Sequence, residues 1–435
     1  MISRIRQADR QQLKLLWSLG ASLLTRIPGA VGILWFLPLL LQGLGTDYYA
    51  DLLSAMALGA GSAFLIGGIS LVGRRAIGAA YANGDTQSEA DSFITLIVVN
   101  TCALAVALSI IAGYTWMRGA DAAVFVAAAL PACAIFGNSF DNARSAYNEH
   151  YVTAASQFVF QTSLYTIGLL MPATRESLIL AAVIIQGHFV LASLVTLVLL
   201  VRKRPYLLKG RPVNAWRMGR QGALVSTADG ILMTTLSLAV VWLQASGNTA
   251  ASAWFATSVR LFQMFLLPIV LLMIPISSYV RLCWNKQTVA KQRAFSKLLL
   301  AAALGYGIMA SIGLLIGSEL YIGGVLGLPD PDRWSLVLPI FLLFGAIVGY
   351  QSYASVAYLV LDDPAHLSSW ITTGAAFAVA VAAITNLRID ALATINVYAA
   401  IAGSSILIAL LWSVVRFDRS SRAFEGVGVQ EPSSS

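Results

Sequence analysis

Near the middle of the chain the sequence reads Arg202-Lys203-Arg204-Pro205-Tyr206-Leu207-Leu208-Lys209-Gly210-Arg211-Pro212, and continues through Arg217 to Arg220. Basic residues and two prolines crowd this stretch, and no long apolar run interrupts them. It cannot lie in hydrocarbon. On both sides of it, apolar runs of roughly 20 residues recur, the length that crosses ~30 Å of bilayer core. The stretch therefore reads as a basic cytoplasmic linker, 202–222, between an N-terminal lobe, 1–201, and a C-terminal lobe, 223–416. Residues 417–435 are too polar to bury themselves and read as a disordered cytoplasmic tail.

Twelve spans are expected, at approximately 15–42, 49–72, 92–117, 122–140, 154–172, 178–201, 223–243, 253–279, 298–318, 334–360, 368–385 and 391–415. Composition agrees: 58% of the chain is hydrophobic and 11% charged, where a soluble domain carries about 25% charged residues to face water. The fold class is an all-α polytopic membrane protein, about 12 transmembrane helices in two six-helix bundles. Six is even, so both halves enter the membrane from the same side and form parallel repeats. A shift of 202 residues aligns Leu41-Gln42-Gly43-Leu44-Gly45-Thr46 with Leu243-Gln244-Ala245-Ser246-Gly247-Asn248, and Thr25 with Thr227.

The net charge of +8 follows topology. Of 28 Lys and Arg, 22 fall on the side of the N-terminus, 4 on the opposite side and 2 inside spans. That asymmetry places both termini in the cytoplasm and needs no nucleic-acid partner. The segment Leu361-Asp362-Asp363-Pro364 breaks the pattern, since it carries no basic residue. Arg4, Arg6, Arg10 and Lys14 precede the first apolar run as in a secretory signal, but that run is too long for one and contains Arg26 and Pro28.

Enzyme chemistry finds little footing. Loops on the far side are short, and His150, His188 and His366 fall in spans or cytoplasmic loops. There is no phosphate loop, no H-E-x-x-H and no G-x-S-x-G. Cys102, Cys133 and Cys283 lack metal-ligand spacing. No cofactor or metal is expected, and the chain reads as a transporter.

Charges inside spans are costly, by ~2.5–3.5 kcal/mol at a helix centre. Arg26 lies deep in span one, Arg260 in span eight and Asp229 in span seven. They line a wet cationic cavity between the lobes, or else Arg26 and Asp229 form a structural ion pair. Guanidinium groups suit phosphate oxygens. Gln161 in span five is a further cavity candidate, and Asp229 and His188 are coupling candidates. A packing histidine is the alternative for His188. Asp51 and Asp141 sit at span ends, as solvated groups. Pro28, Pro38, Pro268 and Pro275 either kink gating helices or follow the frequency of proline in membrane helices. The glycines of span two read as a close-packing surface.

The stretch Leu44-Gly45-Thr46-Asp47-Tyr48-Tyr49, then Gly73-Arg74-Arg75 and Ala79-Ala80-Tyr81-Ala82-Asn83-Gly84-Asp85, resembles the first hairpin of the Wzx-type polysaccharide flippases. These belong to the multidrug/oligosaccharidyl-lipid/polysaccharide exporter superfamily. Asp229-Gly230-Ile231-Leu232, Arg260-Leu261, Pro268 and Met273-Ile274-Pro275-Ile276-Ser277 extend the likeness. The resemblance implies export of an undecaprenyl-diphosphate oligosaccharide across the bacterial inner membrane. It also implies membrane lipid, a polysaccharide polymerase and glycosyltransferases as partners. Span one lacks the acidic residue of many cation-coupled drug exporters, so the coupling ion stays open. A drug/cation antiporter of the same superfamily and a membrane glycosyltransferase are the alternatives.

Overall fold

The computed structural model describes residues 24–147, 149–262, 289–328, 334–360 and 391–426, with a few residues beside them. Every regular element among them is helical. Among the described residues, six stretches are long and apolar enough to cross a membrane: 27–62, 86–117, 122–145, 178–203, 297–323 and 395–412. Their outer faces expose large apolar side chains such as Val106, Ile110, Leu194, Ile312 and Ile408, the inverse of a water-facing surface. The chain is a multi-pass membrane protein.

Helix α1 (Arg26–Val31) passes into a π-wound turn, Gly32–Phe36, and then into α2 (Leu37–Ser62). The π turn lies between Pro28 and Pro38, where the Leu37 N–H reaches back to the Gly32 carbonyl. Such wide turns interrupt helices mostly at functional sites. Gly45 breaks α2 with φ 73° and ψ 169°, so Leu37–Leu44 completes the first span and Thr46 opens the second. Gly247, at the expected 202-residue shift, has φ 80°. Gly119 and Gly327, 208 residues apart, have φ 60° and 63°. Glycines at positive φ thus mark turns in both halves of the chain.

The second span continues in α3 (Phe64–Ala82), followed by α4 (Thr86–Met117), α5 (Ala122–Ser145) and α6 (His150–Leu170). A short α7 (Ala173–Glu176) leads to α8 (Leu178–Lys203). Asp85 starts α4 by accepting the Ser88 N–H at 3.0 Å, which satisfies one of the open donors of the first turn. After a 3-10 turn, Pro205–Lys209, come α9 (Ala215–Ala245) and α10 (249–262). Then follow α11 (Val289–Gly317), a π turn (Ser318–Gly323), α12 (Trp334–Val360) and α13 (Ala391–Gly426).

The chain divides into two compact units. Unit 1 comprises Met1–Met264 and Gly317–Asp332. In it the glycines of the second span work as expected. A Cβ on Gly59 would overlap the Ala128 carbonyl, and one on Gly68 would overlap the Gly222 carbonyl. Helices α2 and α5, and α3 and α9, thus approach backbone to backbone, where small residues give the packing that lipid cannot drive. Ser226 ties the second crossing, accepting the Gly68 N–H at 2.9 Å and donating to the Leu65 carbonyl at 3.0 Å.

Unit 2 comprises Phe265–Ile316 and Arg333–Ser435. Here Gly307 of α11 meets Gly345 of α12, and Ser311 donates to the Phe341 carbonyl at 3.0 Å. The small residues Gly345 and Gly349 sit four apart on one face, the spacing that close helix pairs use.

The basic connection is shorter than its sequence suggested and well ordered, because α8 runs to Lys203 and α9 begins at Ala215. Leu207 is fully buried in a core with Phe93, Leu96, Leu200 and Met218. The Arg211 N–H donates to Asp91 at 2.8 Å and the Val213 N–H to Thr95 at 2.9 Å. This strap lies against the first turns of α4. At the other end of the chain α13 continues through Gly426, past the expected boundary at 416. Residues 427–435, His366, Cys283, Pro268 and Pro275 lie outside the described residues.

Candidate functional site

Two polar clusters occupy unit 1. The first lies within the spans. Thr257 of α10 gives its hydroxyl proton to the Ala253 carbonyl at 2.8 Å. The Tyr49 hydroxyl, 3.1 Å away, must therefore be the donor to Thr257. One turn further along α10, half-buried Arg260 donates through Nη2 to the Met56 thioether at 3.5 Å. Tyr49 and Met56 are two turns apart on α2, so Thr257 and Arg260 face one side of that helix.

Helix α6 adds further polar side chains. Buried Tyr165 lies within electrostatic range of Arg260, as does Tyr49. Gln161 is buried one turn before Tyr165. Glycine admits both side chains to the first span. A Cβ on Gly29 would stand 3.1 Å from the Gln161 amide nitrogen, and one on Gly32 would overlap the Tyr165 ring. Tyr165 packs edge-on against Phe36 at 5.9 Å and lies 6.3 Å from the His188 ring, which stacks on Phe189 at 4.0 Å.

Of the residues expected from sequence, Arg260, Gln161 and His188 thus converge on Tyr165. Arg26 opens α1 one turn before Gly29, and Asp229 follows Ser226 by one turn in α9. Their side chains lie outside the described residues. Tyr49, Tyr165 and Thr257 escaped the sequence reading, since a tyrosine or threonine in an apolar run reads as core. Asp51 is not simply solvated: it accepts from the Gln244 amide at 2.8 Å, which links the second span to the end of the seventh.

The second cluster lies at the end of the helices that carries the strap. Glu149 is buried and gathers Lys203, Arg204 at 3.1 Å and Arg144 at 3.7 Å. Burial alone would raise its carboxyl pKa, but the hydrogen bonds from Arg204 and Lys203 prevail and hold it below the usual carboxylate range. Arg204 also lies 3.7 Å over the Tyr147 ring. Buried Glu89 accepts from Tyr147 and from Tyr206 of the strap, the latter at 2.6 Å. Burial and that bond push the Tyr206 hydroxyl up to about 12, so it stays protonated and donates. His150 meets Asp141 at 2.9 Å. Charges here are matched by partners, as in a structural clamp.

Solved structures resemble this chain along nearly its whole length. An outward-facing multidrug resistance MATE family transporter of the MOP superfamily matches with TM-score 0.60 at 16% identity, covering 94% of this chain and 96% of that one. The inward-facing conformation of a transporter so described matches at 0.58 and 13%, covering 94% and 100%. The chain has the MATE transporter fold. A MOP superfamily transporter from Pyrococcus furiosus, described by a reversed polarity of its binding pocket that suggests a different function, matches at 0.55 and 14%, covering 95% and 97%. No protein-family model matches the sequence. No curated protein matches it either. At these identities the likeness concerns the fold, two six-helix bundles.

Proposed function

We propose that this protein is a flippase for a lipid-linked oligosaccharide of the undecaprenyl-diphosphate class. It acts in the bacterial inner membrane, with both termini cytoplasmic, and serves surface polysaccharide synthesis. The observation that carries this reading is the chemistry of the intramembrane cluster. A cation, Arg260, stands within electrostatic range of Tyr49 and Tyr165 and one turn from Thr257, and the Gln161 amide lies one turn from Tyr165. A guanidinium matches diphosphate oxygens, while the Tyr165 hydroxyl and the Gln161 amide can replace the water around sugar hydroxyls.

Such replacement is needed. Each sugar hydroxyl dragged unpaired through hydrocarbon would cost several kcal/mol, whereas the polyprenyl tail can stay in lipid. Alternating access carries the head along the polar wall, with Arg26 as a second contact for the diphosphate and Asp229 or His188 as the coupling group. Outward movement of negative charge gains ~2.3 kcal/mol per charge for each 100 mV of inside-negative potential.

A second reading, a drug/cation antiporter, is favoured by the multidrug resistance transporters of the same fold. The MOP superfamily transporter described by reversed pocket polarity speaks for the fold serving a different function as well.

The deciding experiment deletes the gene in its own host. The flippase reading expects lipid-linked oligosaccharide to build up on the inner leaflet and surface polysaccharide to fall. Arg260→Lys restores export in part, and Arg260→Ala does not, at equal membrane levels. Normal polysaccharide together with heightened sensitivity to cationic drugs would establish the antiporter instead.

A further inference from the structure

A groove of about 240 Å³ opens beside the strap, between α3, α4 and the start of α9. Val72, Ala76 and Met218 give it an apolar floor, and Ser88, Ser92 and Arg217 give it a polar rim. Its one acid, Asp91, is already engaged by the Gln87 amide at 2.9 Å and the Arg211 N–H at 2.8 Å. Arg217 is exposed and makes no ion pair among the described residues. Lys203 and Arg204 are drawn to Glu149, whereas Lys209, Arg211 and Arg220, near in sequence to the groove's lining, are exposed.

Apolar side chains alternate with these bases. Leu208 is 57% exposed, Val213 48% and Trp216 83%. A tryptophan so exposed is costly in bulk water and favourable at the level of lipid headgroups, where its amphipathic ring belongs. Unpaired bases interleaved with exposed apolar groups, next to the end of a membrane span, form the pattern that binds acidic lipid.

We infer that the α3–α4–α9 groove holds the headgroup of an anionic phospholipid from the leaflet facing the strap. The lipid phosphate lies against the Arg217 guanidinium and the Ser92 hydroxyl, since the Ser88 hydroxyl already donates to Asp85 at 2.6 Å. The acyl chains leave past Trp216 and Val213. The strap, fixed to α4 through Asp91 and Thr95, brings Val213 and Asn214 to the groove's lining. This site is separate from the Arg260 cluster and does not depend on what that cluster carries.

The test uses full-length protein in vesicles of phosphatidylcholine alone or mixed with phosphatidylglycerol, with thermal melting as one readout. Native mass spectrometry of retained lipid is the other. The wild type melts higher with phosphatidylglycerol and retains it, and raising the ionic strength removes the gain. Arg217→Gln weakens retention roughly five-fold, and Arg217→Lys keeps most of it. Glycerol phosphate or inorganic phosphate added to phosphatidylcholine vesicles gives no comparable rise. Equal melting in both vesicles, retention untouched by Arg217→Gln, or full reproduction by free phosphate would each overturn the assignment.

Discussion

The Tyr49 hydroxyl donates to Thr257 at 3.1 Å, bonding the second span to the eighth one turn before Arg260. Since Thr257 passes its own proton to Ala253, the pair is directional, and it fixes the side of α10 from which Arg260 projects. Thr257→Val keeps the shape and removes the acceptor. We expect a loss of about 1 kcal/mol in stability, read as a small fall in melting temperature. A larger fall in transport is expected, because Arg260 loses its orientation. Equal transport by Thr257→Val would separate the bond from function.

Gly59 and Gly113 form a contrasting pair. A Cβ on Gly59 would overlap the Ala128 carbonyl, whereas one on Gly113 would meet nothing within 4 Å. Gly59→Ala must push α2 from α5, and folded protein recovered from membranes should fall sharply. Gly113→Ala gains helix propensity of up to ~1 kcal/mol and should raise the melting temperature. Fluorescence-detected size-exclusion of both variants checks the pair.

Glu149 gives the protein an acid limit. Its folded pKa is depressed, so in the folded state it keeps its charge to lower pH than in the unfolded chain. The stability it contributes is complete above its unfolded value of about 4.3 and is lost as pH falls through the lower folded value. Glu149→Gln should melt lower near neutrality, since Arg144 and Arg204 lose their anion. It should also lose part of the fall in melting temperature that the wild type shows below about pH 4.3. Melting curves across that range decide it.

Gly45 combines φ 73° with ψ 169°, a region open almost only to glycine, at ~1–3 kcal/mol for other residues. A Cβ there has free space, so the cost of Gly45→Ala is backbone strain alone. Gly247, with φ 80° and the same open surroundings, should respond alike. Comparable drops in melting temperature for the two variants are the expected result.

Much of this architecture is legible in the sequence, because a bilayer demands long apolar runs and small residues where helices touch. Gly59 and Gly68 announce close packing for that reason. The strap is not legible. Its order comes from Leu207 entering a core built by five helices, and from Asp91 and Thr95 capturing its N–H groups. No local pattern carries that information. The intramembrane site is legible only where charge or amide marks it, at Arg260, Gln161 and His188. Tyr165 gains its place by joining three helices through Gly32, Phe36 and His188, and such a role exists only in three dimensions. The π turn after α1 lies between Pro28 and Pro38; the sequence marks the interruption but not its winding.

The glycines at 45 and 247, 202 residues apart, both turn the chain at positive φ. Letter and angle are kept together there, because a residue without a side chain enters that region at no steric cost. A chiral residue at either corner would have to bend its own backbone before the next helix could start.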